Sequence, residues 1–131
     1  AKLSSTDQTK VHATIVMPQN TPMVKKNAVQ DFGAEIVMVA STNEARAEET
    51  NRIVKETGAI YVHPSENPLV IAGQGTFCLE FVKQVRDMGH ELDAVIIPVG
   101  GGGLGAGNTI ALRALLGDKV KIILAEPSVL D

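Results

Sequence analysis

The residues best suited to chemistry in this chain are Val99-Gly100-Gly101-Gly102-Gly103-Leu104-Gly105-Ala106-Gly107. Glycine accepts positive φ and carries no side chain, so successive backbone N–H groups can converge on one anion. The run sits between an apolar, β-branched stretch, Ala94 to Val99 (AVIIPV), and a helix predicted over about Ala106 to Leu116. A helix N-terminus adds unpaired donors and partial positive charge. Together these predict a phosphate cradle that needs no lysine. Gly100, Gly102 and Gly105 also satisfy G-x-G-x-x-G, and Glu126 follows about twenty residues later, the layout of a dinucleotide site. Spacing alone therefore specifies a phosphate and leaves open whether a nicotinamide nucleotide, a flavin nucleotide or another cofactor carries it.

The elements that must position this loop alternate along the chain. Val11 to Met17 reads as a strand closed by Pro18, and Met23 to Phe32 as a helix stopped by Gly33. A strand at Glu35 to Val39 leads to Ser41 and Thr42, which can cap a helix running to about Thr57 before Gly58. A third strand is expected at Ala59 to Val62, ending at His63-Pro64. After a loop containing Asn67-Pro68, a helix is expected over Gly73 to Met88, and after the glycines a strand over Val120 to Leu124. Alternating strands and helices predict an α/β fold with mainly parallel strands. Pro98 lacks an N–H and is expected at a strand end or an unpaired position. Ser4 to Lys10 is polar and reads as a surface loop, and Pro64 to Pro68 as the seam between two α/β blocks.

Composition excludes several classes. The net charge is −3 with interspersed signs, and no basic patch with interleaved aromatics is present, which argues against nucleic-acid binding. Apolar runs fall far short of the roughly 20 residues needed to span a bilayer. No charged stretch followed by an apolar one suggests a secretory signal. One cysteine, Cys78, precludes an internal disulfide framework and suits a reducing, cytoplasmic setting. It lies in an apolar, helical run and is read as a structural thiol. His12, His63 and His90 share no metal-ligand spacing and are given structural roles.

Several further motifs occur in order: Val16-Met17-Pro18, Lys25-Lys26-Asn27-Ala28, Phe32-Gly33-Ala34-Glu35, His63-Pro64, Asn67-Pro68 and Val70-Ile71-Ala72-Gly73-Gln74-Gly75-Thr76. They continue through PVGGGGLGAG to Ala125-Glu126-Pro127-Ser128. This series resembles the serine/threonine dehydratase and serine racemase family, over nearly the whole chain. The resemblance implies the two-domain tryptophan synthase beta-like fold with pyridoxal 5′-phosphate between the domains. Residues 1–64 would form most of the smaller, mobile domain and 65–131 part of the larger, cofactor-binding one. It assigns Gly100, Gly101, Gly102, Gly103 and the backbone of Leu104 to the cofactor phosphate.

The implied chemistry is elimination (ammonia-lyase) or racemisation at the α-carbon of a hydroxy amino acid, with the cofactor as electron sink. The resemblance does not separate dehydratase from racemase, nor serine from threonine. It places the catalytic lysine upstream of this segment, so none of the lysines here is assigned to catalysis and the segment alone is expected to be inactive. Arg46 matches an arginine that racemase relatives direct at the substrate carboxylate. Glu126, with Asp131, matches a site where some relatives hold a divalent cation such as Mg or Ca. A homodimer is implied for the full-length protein. The chain departs from the family at Ser4 to Lys10, where a shorter link is usual, and at Ser65, where some relatives carry Asn. The rival classes are a nucleotide-dependent oxidoreductase built on the glycine fingerprint and a non-catalytic phosphate-binding module.

Overall fold

Thr14–Pro18 (β1) and Glu35–Val39 (β2) pair in parallel, with Thr14 opposite Glu35 and Pro18 opposite Val39. The structure, a computed structural model, describes residues 11–128. Met23–Asp31 (α1) connects the two strands. It stops as its sequence requires: Gly33 at φ +75° donates to Gln30 O and Ala34 donates to Val29 O, a left-handed C-terminal cap. Asn43–Thr57 (α2) follows, capped by Thr42, whose Oγ1 accepts from the Ala45 N–H at 3.1 Å, and closed by Gly58 at φ +71°. The predicted loop at Ser4 to Lys10 lies outside the described residues.

The chain divides into two units, one ending at Tyr61 and the next beginning at Val62. The strand expected at Ala59 to Val62 does not form. Ile60 is 90% exposed, and among the described residues no strand pairs with this run. β-propensity gives a strand only where a ladder partner exists, and the described residues supply none.

In the second unit, Pro68–Asp87 (α3), Ala94–Pro98 (β3), Gly103–Leu116 (α4) and Lys121–Ala125 (β4) follow in order. β3 and β4 are parallel, with Val95 opposite Ile122 and Pro98 opposite Ala125. Pro98 ends its strand, as its missing donor demands. α3 starts five residues before the expected Gly73. Asn67 and Pro68 look like a loop, but the Asn67 side chain accepts from the Leu69 N–H at 2.9 Å, and proline is well suited to the first helical turn.

The core of this unit is Cys78 and Val82 from α3, Val95 and Ile97 from β3, Leu112 from α4, and Val120. Val95 and Ile97 alternate with exposed Ala94 and Ile96, which places one face of β3 against the helices. Each buried aliphatic contributes about 1.5–3 kcal/mol. Arg113 ties the end of α4 to the next strand, its Nη1 donating to Gly117 O at 2.8 Å and to Val120 O at 2.9 Å. The α/β architecture with parallel strands and flanking helices is the one expected.

Candidate functional site

The glycine loop leaves the C-terminal end of β3. Val99 N–H still pairs with Ala125 O, Gly100 and Gly101 bend away, and Gly102 turns the chain at φ +89° to cap α4. That angle is left-handed, and side chains rarely adopt it. α4 begins at Gly103 rather than at the expected Ala106, because the glycines are held by packing and caps that propensity alone does not register. The earlier start matters chemically. The Ala106 N–H donates to Gly102 O, so the N–H groups of Gly103, Leu104 and Gly105 precede the first intrahelical bond. These three donors lie together with the positive end of the helix at the head of α4.

Why the loop must be glycine is visible from its neighbour. A methyl group built on Gly101 would lie 2.8 Å from Ser65 Oγ, and one on Gly103 would lie 2.9 Å from Ser65 Cα. Ser65 fills the space that side chains on the loop would need. Behind it, α3 and α4 approach through glycines: a methyl on Gly75 would lie 2.8 Å from Gly107 O. A methyl on Gly105 would stand 3.4 Å from Leu124 Cδ2.

Gly100 through Leu104 are thus contiguous at one end of β3 and at the head of α4. Arg46 lies in the first turn of α2, in the other unit, exposed, with Nη2 donating to Asn43 Oδ1. Glu126 is exposed and is the first residue past β4. Asp131 lies outside the described residues. Among the described residues no cluster of three His, Cys, Asp or Glu side chains has metal-binding geometry, and no helix is long and apolar enough to cross a membrane. Cys78 is 1% exposed in the core, where burial pushes its thiol pKa up, the opposite of what a nucleophile requires.

Sequence reasoning did not credit Ser65 with a contact to the loop. It noted Ser65 only as a departure from relatives that carry Asn, within the turn-rich stretch read as a seam.

The chain β3, glycine loop, α4, β4, Glu126 still fits a dinucleotide site as well as any other phosphate site, so comparison with known proteins decides. The family model of pyridoxal-phosphate dependent enzymes matches residues 6–131. This chain belongs to that family. It is 47% identical to serine racemase of Mus musculus over 121 residues, covering 92% of this chain and 34% of the relative. It is 44% identical to the biosynthetic L-threonine dehydratase of Haemophilus influenzae over 123 residues, covering 93% of this chain and 23% of the relative. The structure of maize serine racemase superposes with a TM-score of 0.83 at 36% identity, over 90% of this chain and 34% of that one. The chain spans about a third or less of the length of these relatives. The family carries pyridoxal phosphate, and the oxidoreductase alternative is not favoured. A glycine loop without side chains, closed by a helix N-terminus, suits the phosphate of that cofactor.

Proposed function

We propose that this chain is the phosphate-holding part of a pyridoxal-phosphate-dependent enzyme that eliminates ammonia from, or racemises, a small hydroxy amino acid such as serine or threonine. The observation that carries the proposal is the loop from Gly100 to Leu104 at the head of α4: open helix-head donors at Gly103 and Leu104, a left-handed glycine at 102, and no room for a side chain at 101 or 103. The relatives named serine racemase and L-threonine dehydratase support the substrate class.

When bound, the cofactor supplies an electron sink for charge developing at the substrate α-carbon. The backbone of Gly100, Gly101, Gly102, Gly103 and Leu104 holds the phosphate dianion and fixes the cofactor's position, aided by the open N–H groups at the head of α4. Arg46 takes the substrate carboxylate. Among the described residues no carboxylate pairs with Arg46, whereas Arg52 on the same helix is committed to Glu49 and Glu56 at 2.5 Å each. A guanidinium with only a neutral partner is left able to form a bidentate pair with a carboxylate.

The same reading makes residues 1–64 most of a smaller mobile domain and 65–131 part of the larger, a division that the break between Tyr61 and Val62 supports. Glu126, with Asp131, serves a divalent cation such as Mg or Ca, a role that the exposed carboxylate at the end of β4 supports. The full-length protein is read as a cytoplasmic homodimer. The single, buried thiol suits that compartment.

The test is an intact-mass spectrum of the full-length protein after borohydride reduction, with L-serine and L-threonine then assayed for 2-oxo acid and D-isomer. A cofactor adduct on a lysine together with either product supports the reading. A protein with no adduct and no product overturns it.

A further inference from the structure

The turn that presents Ser65 is held by a side chain outside the phosphate loop. His63 Nδ1 accepts two backbone N–H groups, from Ser65 at 3.2 Å and from Glu66 at 3.0 Å. An imidazole nitrogen accepts only when it carries no proton, so the ring proton sits on Nε2, the side nearer the Glu66 carboxylate at 3.8 Å. Two amide donors of a tight turn thereby converge on one ring atom. The residue so fixed is Ser65, whose Oγ and Cα stand 2.8 Å and 2.9 Å from where methyl groups on Gly101 and Gly103 would be. The loop has no side chains of its own to limit it, and glycine is the most permissive residue. Its conformation is limited from outside, by the residue packed on it.

The geometry points to His63 as a positioning residue for the cofactor phosphate: its imidazole seats Ser65 on the glycine loop and so holds the loop N–H groups in their binding arrangement. His63 need touch neither cofactor nor substrate. This rests on the cofactor reading above and adds a residue that the loop motif does not contain. Asparagine can do the same work, since its side-chain oxygen accepts from the backbone two residues on. Alanine cannot.

The experiment compares the full-length apoprotein as wild type, His63→Ala and His63→Asn, titrated with pyridoxal 5′-phosphate and with pyridoxal, which lacks the phosphate. Cofactor absorbance reports binding. Expected is a roughly tenfold loss of pyridoxal 5′-phosphate affinity in His63→Ala, the scale of one or two net backbone hydrogen bonds. Pyridoxal affinity should change by less than about twofold, and His63→Asn should recover most of the loss. Unchanged phosphate-cofactor affinity in His63→Ala, an equal loss for pyridoxal, or an asparagine variant no better than alanine would overturn the assignment. If His63→Ala fails to fold, amide exchange in the wild type decides: protected Ser65 and Glu66 amides support the turn, and fast exchange refutes it. A wild type that binds neither compound is a separate result. It removes the cofactor reading, and the role of His63 falls with it.

Discussion

Gly75 of α3 and Gly107 of α4 touch backbone to backbone. A methyl on Gly75 would sit 2.8 Å from Gly107 O, and one on Gly107 would sit 2.8 Å from Gly75 N while also striking Ile71 O. The two helices cross where neither has a side chain, and this lets the head of α4 lie against α3 beside the phosphate loop.

Alanine at either position should therefore destabilise the protein despite its better helix propensity, which by itself favours the change by about 1 kcal/mol. Gly75→Ala is expected to cost about 1–3 kcal/mol, the range for overpacking. Gly107→Ala should cost more, because it meets two backbone groups and the Gln74 side chain at 3.1 Å. Urea unfolding of the full-length protein gives the ranking. Equal or reversed costs would contradict the close crossing.

The two loop glycines that face Ser65 do so differently, and a second substitution separates them. At Gly101 the obstruction is the serine side chain, Oγ at 2.8 Å and Cβ at 3.1 Å; at Gly103 it is backbone, Cα at 2.9 Å and O at 3.2 Å. Gly101→Ala and Gly103→Ala should each weaken cofactor binding by roughly tenfold or more, the affinity equivalent of overpacking. Adding Ser65→Gly should restore Gly101→Ala and leave Gly103→Ala impaired. Cofactor titration of the four variants checks this, and restoration of both would mean that the loop yields more freely than its packing implies.

Much of this organisation was legible in residue order. Gly33 and Gly58 announce helix ends, and Thr42 a helix start, because each acts locally: the glycines through left-handed backbone, the threonine through one hydroxyl. Local signals failed where tertiary packing decides. The run from Ile60 to Val62 has strand-forming residues, but among the described residues no strand pairs with it. Asn67-Pro68 reads as loop from sequence, and only the cap bond to Leu69 makes it a helix start. Gly103 and Gly105 are poor helix formers, yet they lie in the first turn of α4, and at Gly103 the Ser65 backbone leaves no room for a side chain. The loop's backbone form, a glycine turn running into a helix head, was plain from its glycines. The Ser65 contact was not, because 35 residues separate Ser65 from Gly100 and nothing local links them.

Cys78 offers a test by pH. Burial raises its thiol pKa above the unfolded value, so the folded state holds the proton more tightly. The resulting stability is fully present below the ordinary thiol pKa and is lost as pH rises through the folded one. Wild type should lose stability on the alkaline side more steeply than Cys78→Ala, which lacks the group, although alanine lowers the stability at neutral pH by leaving a small cavity. Thiol reagents should react with Cys78 only on unfolding. Parallel pH curves for the two proteins, or rapid labelling of the native state, would contradict the buried placement.

Asn108 poses the opposite problem. It is 1% exposed on the core side of α4, its Nδ2 donates to Leu104 O at 2.9 Å, and its Oδ1 has no partner among the described residues. A buried acceptor without a donor costs about 1–3 kcal/mol, and the one bond that the amide makes is worth about 1. Leucine of similar volume removes both terms and adds apolar burial next to Leu112. Asn108→Leu should therefore raise the unfolding free energy by about 1 kcal/mol, while Asn108→Ala should lower it by leaving a void. Urea midpoints at constant slope distinguish the two. If Asn108→Leu is instead destabilised, the amide oxygen has a donor in the whole protein, and Asn108 would then belong with the polar groups that fix α4 beneath the phosphate loop.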